Sequence, residues 1–137
     1  MSQSRPIPGY PKTILAVDDD PVLRAFADAE LSVGDTRVVT AEDGVQALKK
    51  IEAQDFDVIV LDVEMPNMNG FELLMRLRAV DRTRHLPVVI LTSREDADTA
   101  VKAFDAGATA YAMKPVNWDR LRQRVREVHE ARRAGGA

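Results

Sequence analysis

The chain has 137 residues, of which 45% are hydrophobic, and a formal net charge of −3. This size and balance are typical of one globular domain, and they give no general attraction to nucleic acid. The absence of cysteine excludes disulfides, zinc–thiolate sites and thiol catalysis. No apolar run exceeds four residues, which predicts neither a membrane span nor a signal peptide, so we expect a cytoplasmic domain.

The chain opens with a segment rich in turn-forming residues. The stretch MSQSRPIPGYPK contains three prolines and one glycine, a composition typical of an extended segment outside the core. We predict a flexible N-terminal tail over residues 1–11, one domain over residues 12–131 and a C-terminal tail over residues 132–137.

Short apolar segments follow, and their composition predicts β-strands. The first four do not alternate cleanly between apolar and polar residues, which favours strands covered on both faces, as in a parallel sheet. The predicted strands are Ile14–Val17, Val38–Thr40, Val58–Leu61, Val88–Leu91 and Ala110–Met113.

Segments with helical periodicity lie between and after these strands. Asp20 followed by Pro21 is typical of an N-cap and a first-turn proline. The alternation of strands and helices predicts a doubly wound α/β sandwich, because crossovers between parallel strands are almost always right-handed. The predicted buried faces are Val22, Phe26, Ala29 and Val33; Val45, Leu48 and Ile51; Leu73, Leu77 and Val80; a weaker helix from about Glu95 to Phe104; and Trp118, Leu121, Val125 and Val128.

Polar residues cluster where the predicted strands end. In a doubly wound sheet, ligands bind beyond the carboxyl ends of the strands, so we expect these side chains to meet at one edge. Each alone has an ordinary explanation, such as Asp20 as a helix cap, but their joint placement indicates a site. The residues are Asp18 to Asp20 after the first strand, Asp62 after the third, Thr92 and Ser93 after the fourth, and Lys114 and Pro115 after the fifth.

The predicted cluster of carboxylates favours a bound cation. Carboxylates that converge repel one another unless a cation joins them, and a hard divalent ion such as Mg²⁺ prefers oxygen ligands. A lysine and a hydroxyl opposite that ion suit a phosphoryl group, whose transfer depends on positioning and charge neutralisation. We therefore interpret Asp62 as a nucleophile that forms an acyl phosphate, with Thr92 and Lys114 as phosphoryl-binding residues.

Four motifs, AVDDD, VLDVEMPNMNG, ILTS and AYAMKP, occur in this order at the strand ends. With them, the chain from Lys12 to Glu130 resembles the receiver domains of response regulators, the CheY-like family of two-component signalling. The resemblance implies a flavodoxin-like sheet of five parallel strands in the order 2-1-3-4-5, with five helices. It also implies that Asp62 accepts a phosphoryl group from a sensor histidine kinase or a phosphotransfer protein.

The resemblance further implies roles for the residues around Asp62. Thr92 and Lys114 would contact phosphoryl oxygens, and the Lys114–Pro115 bond would be cis. Asp19, Asp62 and the backbone carbonyl of Glu64 would bind Mg²⁺ directly, and Asp18 would bind it through water.

Tyr111 matches the switch aromatic of the family, which moves inward together with Thr92 on phosphorylation. The alternative is a strand tyrosine packed on the fifth helix. Two features depart from family members that dimerise and bind DNA: the stretch GATAY lacks their acidic pair, and Val116 stands where they often have Phe. We therefore expect a monomer or a weak phosphorylation-dependent dimer.

Glu64 and Arg94 follow Asp62 and Thr92 by two residues, so they flank the expected mouth of the site. We hypothesise that this pair closes over the site and hinders the attacking water. Replacing both with neutral residues would then shorten the lifetime of the phosphoryl group.

The last two helices carry opposite charge. Residues 94–105 sum to −2, whereas residues 119–133, with six arginines, sum to +3. The opposite charges could simply belong to helix faces that are exposed to water. The sharper interpretation is that the face formed by the fourth helix, the fifth strand and the fifth helix meets a protein target after phosphorylation. Direct nucleic-acid binding is not expected, because acids share the basic helix and interleaved aromatics are missing.

These observations predict a single-domain response regulator without an output domain. It would not be a classical enzyme but a phosphoacceptor that assists its own Mg²⁺-dependent phosphotransfer and dephosphorylation. A receiver fragment of a larger regulator and a pseudo-receiver interaction scaffold stay open as alternatives. A metal-dependent phosphatase is disfavoured because Glu64 stands where a second aspartate is usual. A flavodoxin-like electron carrier is disfavoured because the stretch DDDPVLR would repel its phosphate.

Overall fold

Strands and helices alternate along the whole chain. The computed structural model describes residues 5–63, 65, 69–93 and 97–135. All predicted strands are present, with ends that differ from the prediction by at most one residue. The strands are β1 (Thr13–Val17), β2 (Arg37–Ala41), β3 (Val58–Asp62), β4 (Val88–Thr92) and β5 (Ala110–Met113), and the helices are α1 (Pro21–Leu31), α2 (Gly44–Ala53), α3 (Gly70–Arg78), α4 (Ala97–Asp105) and α5 (Trp118–Ala134).

The strands form one parallel sheet in the order β2-β1-β3-β4-β5, as predicted. Its register brings the ends of the strands level with one another: Val17 lies opposite Leu61, and Thr92 lies opposite Met113. Residues that end or directly follow β1, β3, β4 and β5 therefore share one edge of the sheet. We call this edge, where the strands end, the carboxyl edge, and the opposite one, where they begin, the amino edge.

Each face of the sheet is covered by its own layer of helices, because successive strand residues point to opposite faces. On one face, Leu15, Ile59 and Ile90 pack against α2, α3 and α4. On the other, Ile14, Val58 and Val89 pack against α1 and α5. All these strand residues are buried, which explains why their sequence showed no alternation.

The predicted buried faces of the helices are correct for α5 and partly wrong elsewhere. Leu121, Val125 and Val128 are buried as expected. In α1, however, Val22 and Phe26 are 62% and 52% exposed. The other predicted members that lie exposed are Ala29, Val45 and Val80, and the residues that α1 actually buries are Ala27 and Leu31.

The error in α1 has a physical cause. Apolar residues occupy two neighbouring stripes of this helix, and helical spacing alone does not tell which stripe faces the sheet. Leu23 lies partly buried on the inner stripe with Ala27 and Leu31. The second stripe therefore lies outside the core.

Among the described residues, no helix combines the length and the apolar character needed to cross a membrane.

The N-terminal segment contributes to the core, so the expectation that residues 1–11 lie outside it is wrong at Tyr10. This side chain is buried against the α1–α5 layer, and its hydroxyl donates a hydrogen bond to the carbonyl of Leu31 at 3.0 Å. Ile7 packs on the same cluster, and the carbonyl of Arg5 accepts from the amide of Asp35 at 2.9 Å. At the other end, α5 continues to Ala134, past the predicted boundary at residue 131.

Candidate functional site

The carboxyl edge carries a group of buried polar side chains. Asp18, Asp62 and Thr92 are 1%, 5% and 2% exposed, whereas Asp19 is exposed. The fold produces this grouping, because Asp62 and Thr92 are the last residues of β3 and β4, and Asp18 directly follows β1. Carboxylate oxygens of Asp18, Asp19 and Asp62 all lie within 4.8 Å of one another. The structure thus brings together the three carboxylates that the sequence singled out.

Lys114 brings a positive charge to this edge. Its Nζ lies 2.9 Å from Oδ2 of Asp18 and 3.5 Å from Oδ2 of Asp62. Burial alone would lower the pKa of Lys114, but the hydrogen bond to Asp18 and the charge of Asp62 outweigh it, so the pKa is raised. The amide of Lys114 donates to the carbonyl of Thr92 at 2.8 Å, and the bond to Pro115 is cis, as expected.

The loop between β1 and α1 fixes the orientation of Asp18. The amide of Asp20 donates to Oδ1 of Asp18 at 2.9 Å, and a guanidinium nitrogen of Arg24 donates to the carbonyl of Asp18 at 2.8 Å. Asp20 itself caps α1, because its Oδ1 accepts from the amide of Val22 at 2.9 Å. Of the three consecutive aspartates, Asp20 therefore serves the helix, and Asp18 and Asp19 serve the carboxylate cluster.

Gly70 allows α3 to begin directly against the end of β3. A Cβ at this position would lie 2.3 Å from the carbonyl oxygen of Asp62 and 2.7 Å from Cα of Val63. Both contacts are with backbone, so no side-chain rotation would relieve them. The amide of Gly70 donates to the carbonyl of Val63 at 3.1 Å, and Asn69 caps the helix by accepting from the amide of Glu72. This close approach holds the backbone that carries Asp62.

The chemistry of the cluster fits a hard divalent cation. The carboxylates of Asp18, Asp19 and Asp62 together with the ammonium of Lys114 sum to a charge of −2, and every metal-facing donor is an oxygen. An oxygen-rich cluster that keeps this negative charge matches the preference of Mg²⁺. Glu64, whose backbone carbonyl is the further predicted ligand, lies outside the described residues, as does Arg94 of the predicted pair at the mouth.

Tyr111 lies in β5 with its side chain half-buried. Its ring meets the ring of Phe104 in α4 edge to face, with centroids 6.0 Å apart and planes at 82°. The ring contact is thus with α4, whereas the alternative interpretation expected packing on α5. Tyr111 also lines a cavity of about 490 Å³ together with Met113 of β5 and with Arg120 and Arg124 of α5. This cavity lies on the face predicted to meet a target.

Beside the carboxylate cluster lies an apolar patch that the sequence analysis missed. The rings of Phe26 and Trp118 stack with centroids 6.3 Å apart and planes at 17°. They line a cavity of about 240 Å³ whose other walls include Asp20 and Lys114. The sequence shows two apolar stripes on α1, but spacing alone does not tell which of them faces the sheet and which carries Phe26 to the surface. We call Val22, Phe26, Pro115, Val116 and Trp118 the α1–α5 patch.

Three of the six arginines of α5 are paired with carboxylates. Arg122 pairs with Glu30 of α1 at 3.1 Å and with Asp119 of its own helix. Arg124 and Arg126 lie 3.7 Å from Glu127 and Glu130, respectively. The acids of α5 are already counted in its sum of +3, so Glu30 alone lowers the local charge, to +2. Such pairs at the surface contribute little to stability.

One protein family matches most of the chain. The model of the response regulator receiver domain family matches residues 14–126. The chain belongs to this family. This receiver domain is 35% identical over 118 residues to the chemotaxis protein CheY of Pseudomonas aeruginosa, a match that covers 85% of the chain and 95% of CheY.

Longer relatives are matched over only part of their length. The receiver domain is 38% identical over 116 residues to the transcriptional regulatory protein AfsQ1 of Streptomyces coelicolor, covering 85% of the chain and 50% of AfsQ1. The chain thus spans about half the length of that relative. Among solved structures, the chemotaxis protein CheY4 of Vibrio cholerae superposes with a TM-score of 0.80 at 34% identity, covering 85% of this chain and 97% of CheY4.

Family membership gives the carboxyl edge a general meaning. Receiver domains are phosphoacceptor modules of two-component signalling that bind Mg²⁺ in an acidic pocket. In this receiver domain, Asp18, Asp19 and Asp62 form a cluster that could hold the ion. Histidine kinases or phosphotransfer proteins are the partners consistent with its relatives, which are response regulators.

Proposed function

We propose that this receiver domain is a phosphorylation-switched, single-domain response regulator that accepts a phosphoryl group on Asp62 from a sensor histidine kinase or a phosphotransfer protein. The observation that carries the proposal is the convergence of the Asp18, Asp19 and Asp62 carboxylates with the ammonium of Lys114. A cytoplasmic location, where such donors act, is part of the proposal. The organisation of the chain as one domain stays a prediction.

In the proposed reaction, a carboxylate oxygen of Asp62 attacks phosphorus. The new phosphorus–oxygen bond forms as the bond to the imidazole nitrogen of the donor breaks, and that nitrogen keeps the electron pair. Lys114 lies close enough to Asp62 to pair with an oxygen of the arriving phosphoryl group. Thr92, at the end of the neighbouring strand β4, would donate its hydroxyl to another oxygen of the phosphoryl group.

A bound Mg²⁺ would neutralise charge on the phosphoryl oxygens during this transfer. Asp19 and Asp62, with the backbone carbonyl of Glu64, would hold it directly, and Asp18 would act through water. The support for this arrangement is the −2 charge of the described cluster and its oxygen donors. Lys114 then has two tasks, because it balances Asp18 before the transfer and the phosphoryl group after it.

The proposal includes loss of the phosphoryl group by water attack on the phosphorus of phosphorylated Asp62. We infer that Glu64 and Arg94 hinder this water by pairing across the mouth. The test is the lifetime of the phosphoryl group in a variant with both residues replaced by Gln. A shorter lifetime would support the hindrance, and an unchanged lifetime would contradict it.

The proposed output passes through Thr92 and Tyr111 to the face formed by α4, β5 and α5. Two observations support this route: the half-buried Tyr111 contacts Phe104 of α4, and Tyr111 also lines the 490 Å³ cavity between β5 and α5. A phosphoryl group that draws Thr92 toward it leaves room for the Tyr111 ring to move inward. The protein would act as a monomer or as a weak phosphorylation-dependent dimer.

Two relatives bear on whether the protein consists of one domain. The match spans nearly all of CheY, a protein named for chemotaxis, which favours a single-domain regulator. The match to AfsQ1, a transcriptional regulator, spans only half of it, which favours a fragment of a larger protein. We propose the single-domain form, and the fragment is its alternative. The mass of the native protein in cell extract decides between them.

The α1–α5 patch is the proposed contact of the phosphodonor protein, because it is apolar, its members Val22, Phe26 and Pro115 are exposed, and it lines one cavity together with Lys114. A Phe26→Ser variant should accept phosphoryl groups from a protein donor about tenfold more slowly, as expected for a central aromatic contact. Its rate with a small acyl phosphate should be unchanged. Met75→Ser, which exchanges an exposed apolar residue on α3 outside the patch, is the control, and equal slowing in both variants would contradict this contact.

The chemistry itself is tested by intact mass after incubation with Mg²⁺ and a small acyl-phosphate donor. We expect one phosphoryl adduct, lost on chelation of the metal or in Asp62→Asn, and kept in the control Asp81→Asn, which changes an exposed aspartate of an outer loop. No adduct under any metal condition would contradict the phosphoacceptor function and favour the scaffold. Steady turnover of a phosphate ester would instead favour a phosphatase.

A further inference from the structure

A further cavity, distinct from the two described above and also of about 240 Å³, opens at the amino edge of the sheet, where β3 and β4 begin. It lies at the opposite edge from Asp62, and the proposed phosphoacceptor function does not use it. Both apolar and polar side chains line it. The residues that line this amino-edge cavity are Ile51, Gln54, Asp55, Phe56, Arg82, Thr83, Leu86 and Arg132.

Three arginines gather at the amino-edge cavity from separate parts of the chain. Arg82 and Arg132 line it, and Arg78 lies behind its wall, where Nη1 donates to the carbonyl of Thr83 at 3.1 Å. Arg132 donates through Nη1 to the carbonyl of His85 at 2.7 Å. The bonds of Arg78 and Arg132 are thus made to neutral carbonyl groups, which orient these guanidinium groups but leave their charges in place.

One carboxylate faces this group. Oδ1 of Asp55 accepts from Nε of Arg82 at 3.0 Å and from Nη2 of Arg82 at 2.8 Å. Within the described ranges, no ion pair joins Arg78 or Arg132 to a carboxylate. Three guanidinium groups and one carboxylate sum to a charge of +2. The side chain of Asp55 is 89% exposed, so water screens much of its charge.

The excess of positive charge affects the pKa of Arg78. Its side chain is partly buried, and its Nε donates to the carbonyl of Gly107 at 2.9 Å. Burial lowers the pKa of Arg78, and the nearby charge of Arg132 lowers it further. Like charges therefore repel across the wall of the cavity, and an anion between Arg82 and Arg132 would relieve this repulsion.

We propose that the amino-edge cavity binds a small tetrahedral oxyanion of the phosphate class between the guanidinium groups of Arg82 and Arg132. Guanidinium groups present N–H donors that match phosphate oxygens, and they stay charged at any physiological pH. Asp55 accepts from Nε and Nη2 of Arg82, and the carbonyl of His85 accepts from Nη1 of Arg132, so the donors proposed for the anion are Nη1 of Arg82 and Nε and Nη2 of Arg132. Gln54 adds a side-chain amide to the wall. Free phosphate and the terminal phosphoryl groups of a small metabolite share this chemistry.

Asp55 sets the preference among anions. Its carboxylate repels any bound anion, but it also holds Arg82 in position through two hydrogen bonds to one oxygen. An anion with more charge gains more from the two arginines than it loses to Asp55. We therefore expect pyrophosphate to bind more tightly than phosphate, and chloride to bind least.

The test is a titration of the whole, Mg²⁺-free protein with phosphate and with pyrophosphate at constant ionic strength, followed by NMR. The signals to follow are the Nε–H groups of Arg82 and Arg132 and the amides of Gln54 and Thr83. We expect saturable shifts centred on these groups. Arg132→Gln should weaken binding about tenfold or more, because a hydrogen bond to a charged group is lost. Arg84→Gln, an exposed arginine of the same loop that does not line the cavity, should leave binding unchanged.

Each result bears on the anion site independently of phosphorylation at Asp62. Shifts that do not saturate, shifts centred on Lys114, or equal weakening in Arg132→Gln and Arg84→Gln would overturn it. If the spectrum of Arg132→Gln indicates unfolding, Arg82→Gln replaces it, with the same expected loss. Tighter binding of pyrophosphate would assign the site to a diphosphate group, and equal binding of the two probes would assign it to a single phosphate.

Discussion

The two edges of the sheet both gather charge, but they do so in different ways. At the carboxyl edge, Asp18 is almost fully buried and the ammonium of Lys114 lies 2.9 Å from it. At the amino edge, Arg78 and Arg132 donate to backbone carbonyls, and Asp55 lies largely in water. Each cluster therefore holds three like charges and one opposite charge, and the two differ in burial. Asp18, Asp62 and Lys114 are largely buried, whereas Arg82 and Asp55 are exposed to water.

The difference follows from the elements that carry the charges. At the carboxyl edge, Asp62 and Thr92 end their strands, so the sheet register fixes their positions. At the amino edge, Arg82 comes from a loop and Arg132 from the last turn of α5. Strand ends place side chains with little freedom, which suits chemistry on a phosphoryl group. Loops and helix ends hold side chains less rigidly, which is sufficient for binding an anion without chemistry.

Removing Lys114 should produce the largest change in stability, because it breaks the balance at the carboxyl edge. In Lys114→Met the buried carboxylate of Asp18 loses its cation, which should lower the free energy of unfolding by about 3 kcal/mol in the absence of metal. The measurement is urea unfolding in the presence of a chelator. Lys49→Met, which removes an exposed lysine from α2, is the control and should change little.

Mg²⁺ should restore part of the stability lost in Lys114→Met, because an ion among Asp18, Asp19 and Asp62 replaces the missing positive charge. Equal loss with and without Mg²⁺ would mean that the ion does not enter the cluster. No loss in either condition would mean that Asp18 does not depend on Lys114.

A change at Gly70 should have the next largest effect, and it tests whether backbone packing holds the carboxyl edge. Gly70→Ala puts a Cβ at 2.3 Å from the carbonyl oxygen of Asp62, so the start of α3 must move away from β3. We expect a loss of about 2 kcal/mol in the free energy of unfolding, as for other overpacked sites, together with slower phosphorylation of Asp62. In the control Gly135→Ala the nearest contact would be 3.4 Å, and both quantities should stay unchanged. A normal phosphorylation rate in Gly70→Ala would contradict the positioning role.

The sequence could predict the carboxyl edge because pattern and position coincide there. Runs such as VIVL indicated buried strands, and the residue that follows such a run lies at the edge of a parallel sheet. Asp18, Asp62, Thr92 and Lys114 were found in this way, and the structure brings their β-strand ends together. The strand order also agreed with the family resemblance.

The α1–α5 patch and the amino edge could not be predicted in the same way. Two apolar stripes on α1 satisfied the same spacing, so Phe26 was assigned to the core although it stacks on Trp118 at the surface. The arginines of the amino-edge cavity lie far apart in sequence, and no short-range pattern joins Arg82 to Arg132. Only the three-dimensional packing of the loop against α5 brings them together.

The smallest expected effect lies at the amino edge, in the N-terminal segment that the sequence had placed outside the core. Tyr10→Phe removes the hydroxyl that donates to the carbonyl of Leu31, and leaves that buried carbonyl without this donor. At neutral pH this should lower the free energy of unfolding by about 1 kcal/mol. Chemical denaturation of the two proteins at the same pH measures it, with Tyr111→Phe as the control for loss of a half-buried phenol.

The effect of Tyr10 should depend on pH with a definite sign. Burial raises the pKa of Tyr10 from 10.0 to about 12, partly offset by the charge of Arg122. Because the unfolded chain releases this proton first, the stability that the group contributes is fully present below pH 10 and is lost as pH rises toward 12. By about pH 11 the wild type should have lost about 1 kcal/mol from this source, so its advantage over Tyr10→Phe should nearly vanish. The contrary result is a difference in unfolding free energy between wild type and Tyr10→Phe that stays constant from about pH 8 to about pH 11. It would mean that Tyr10 is open to water and that the segment before β1 is not part of the core.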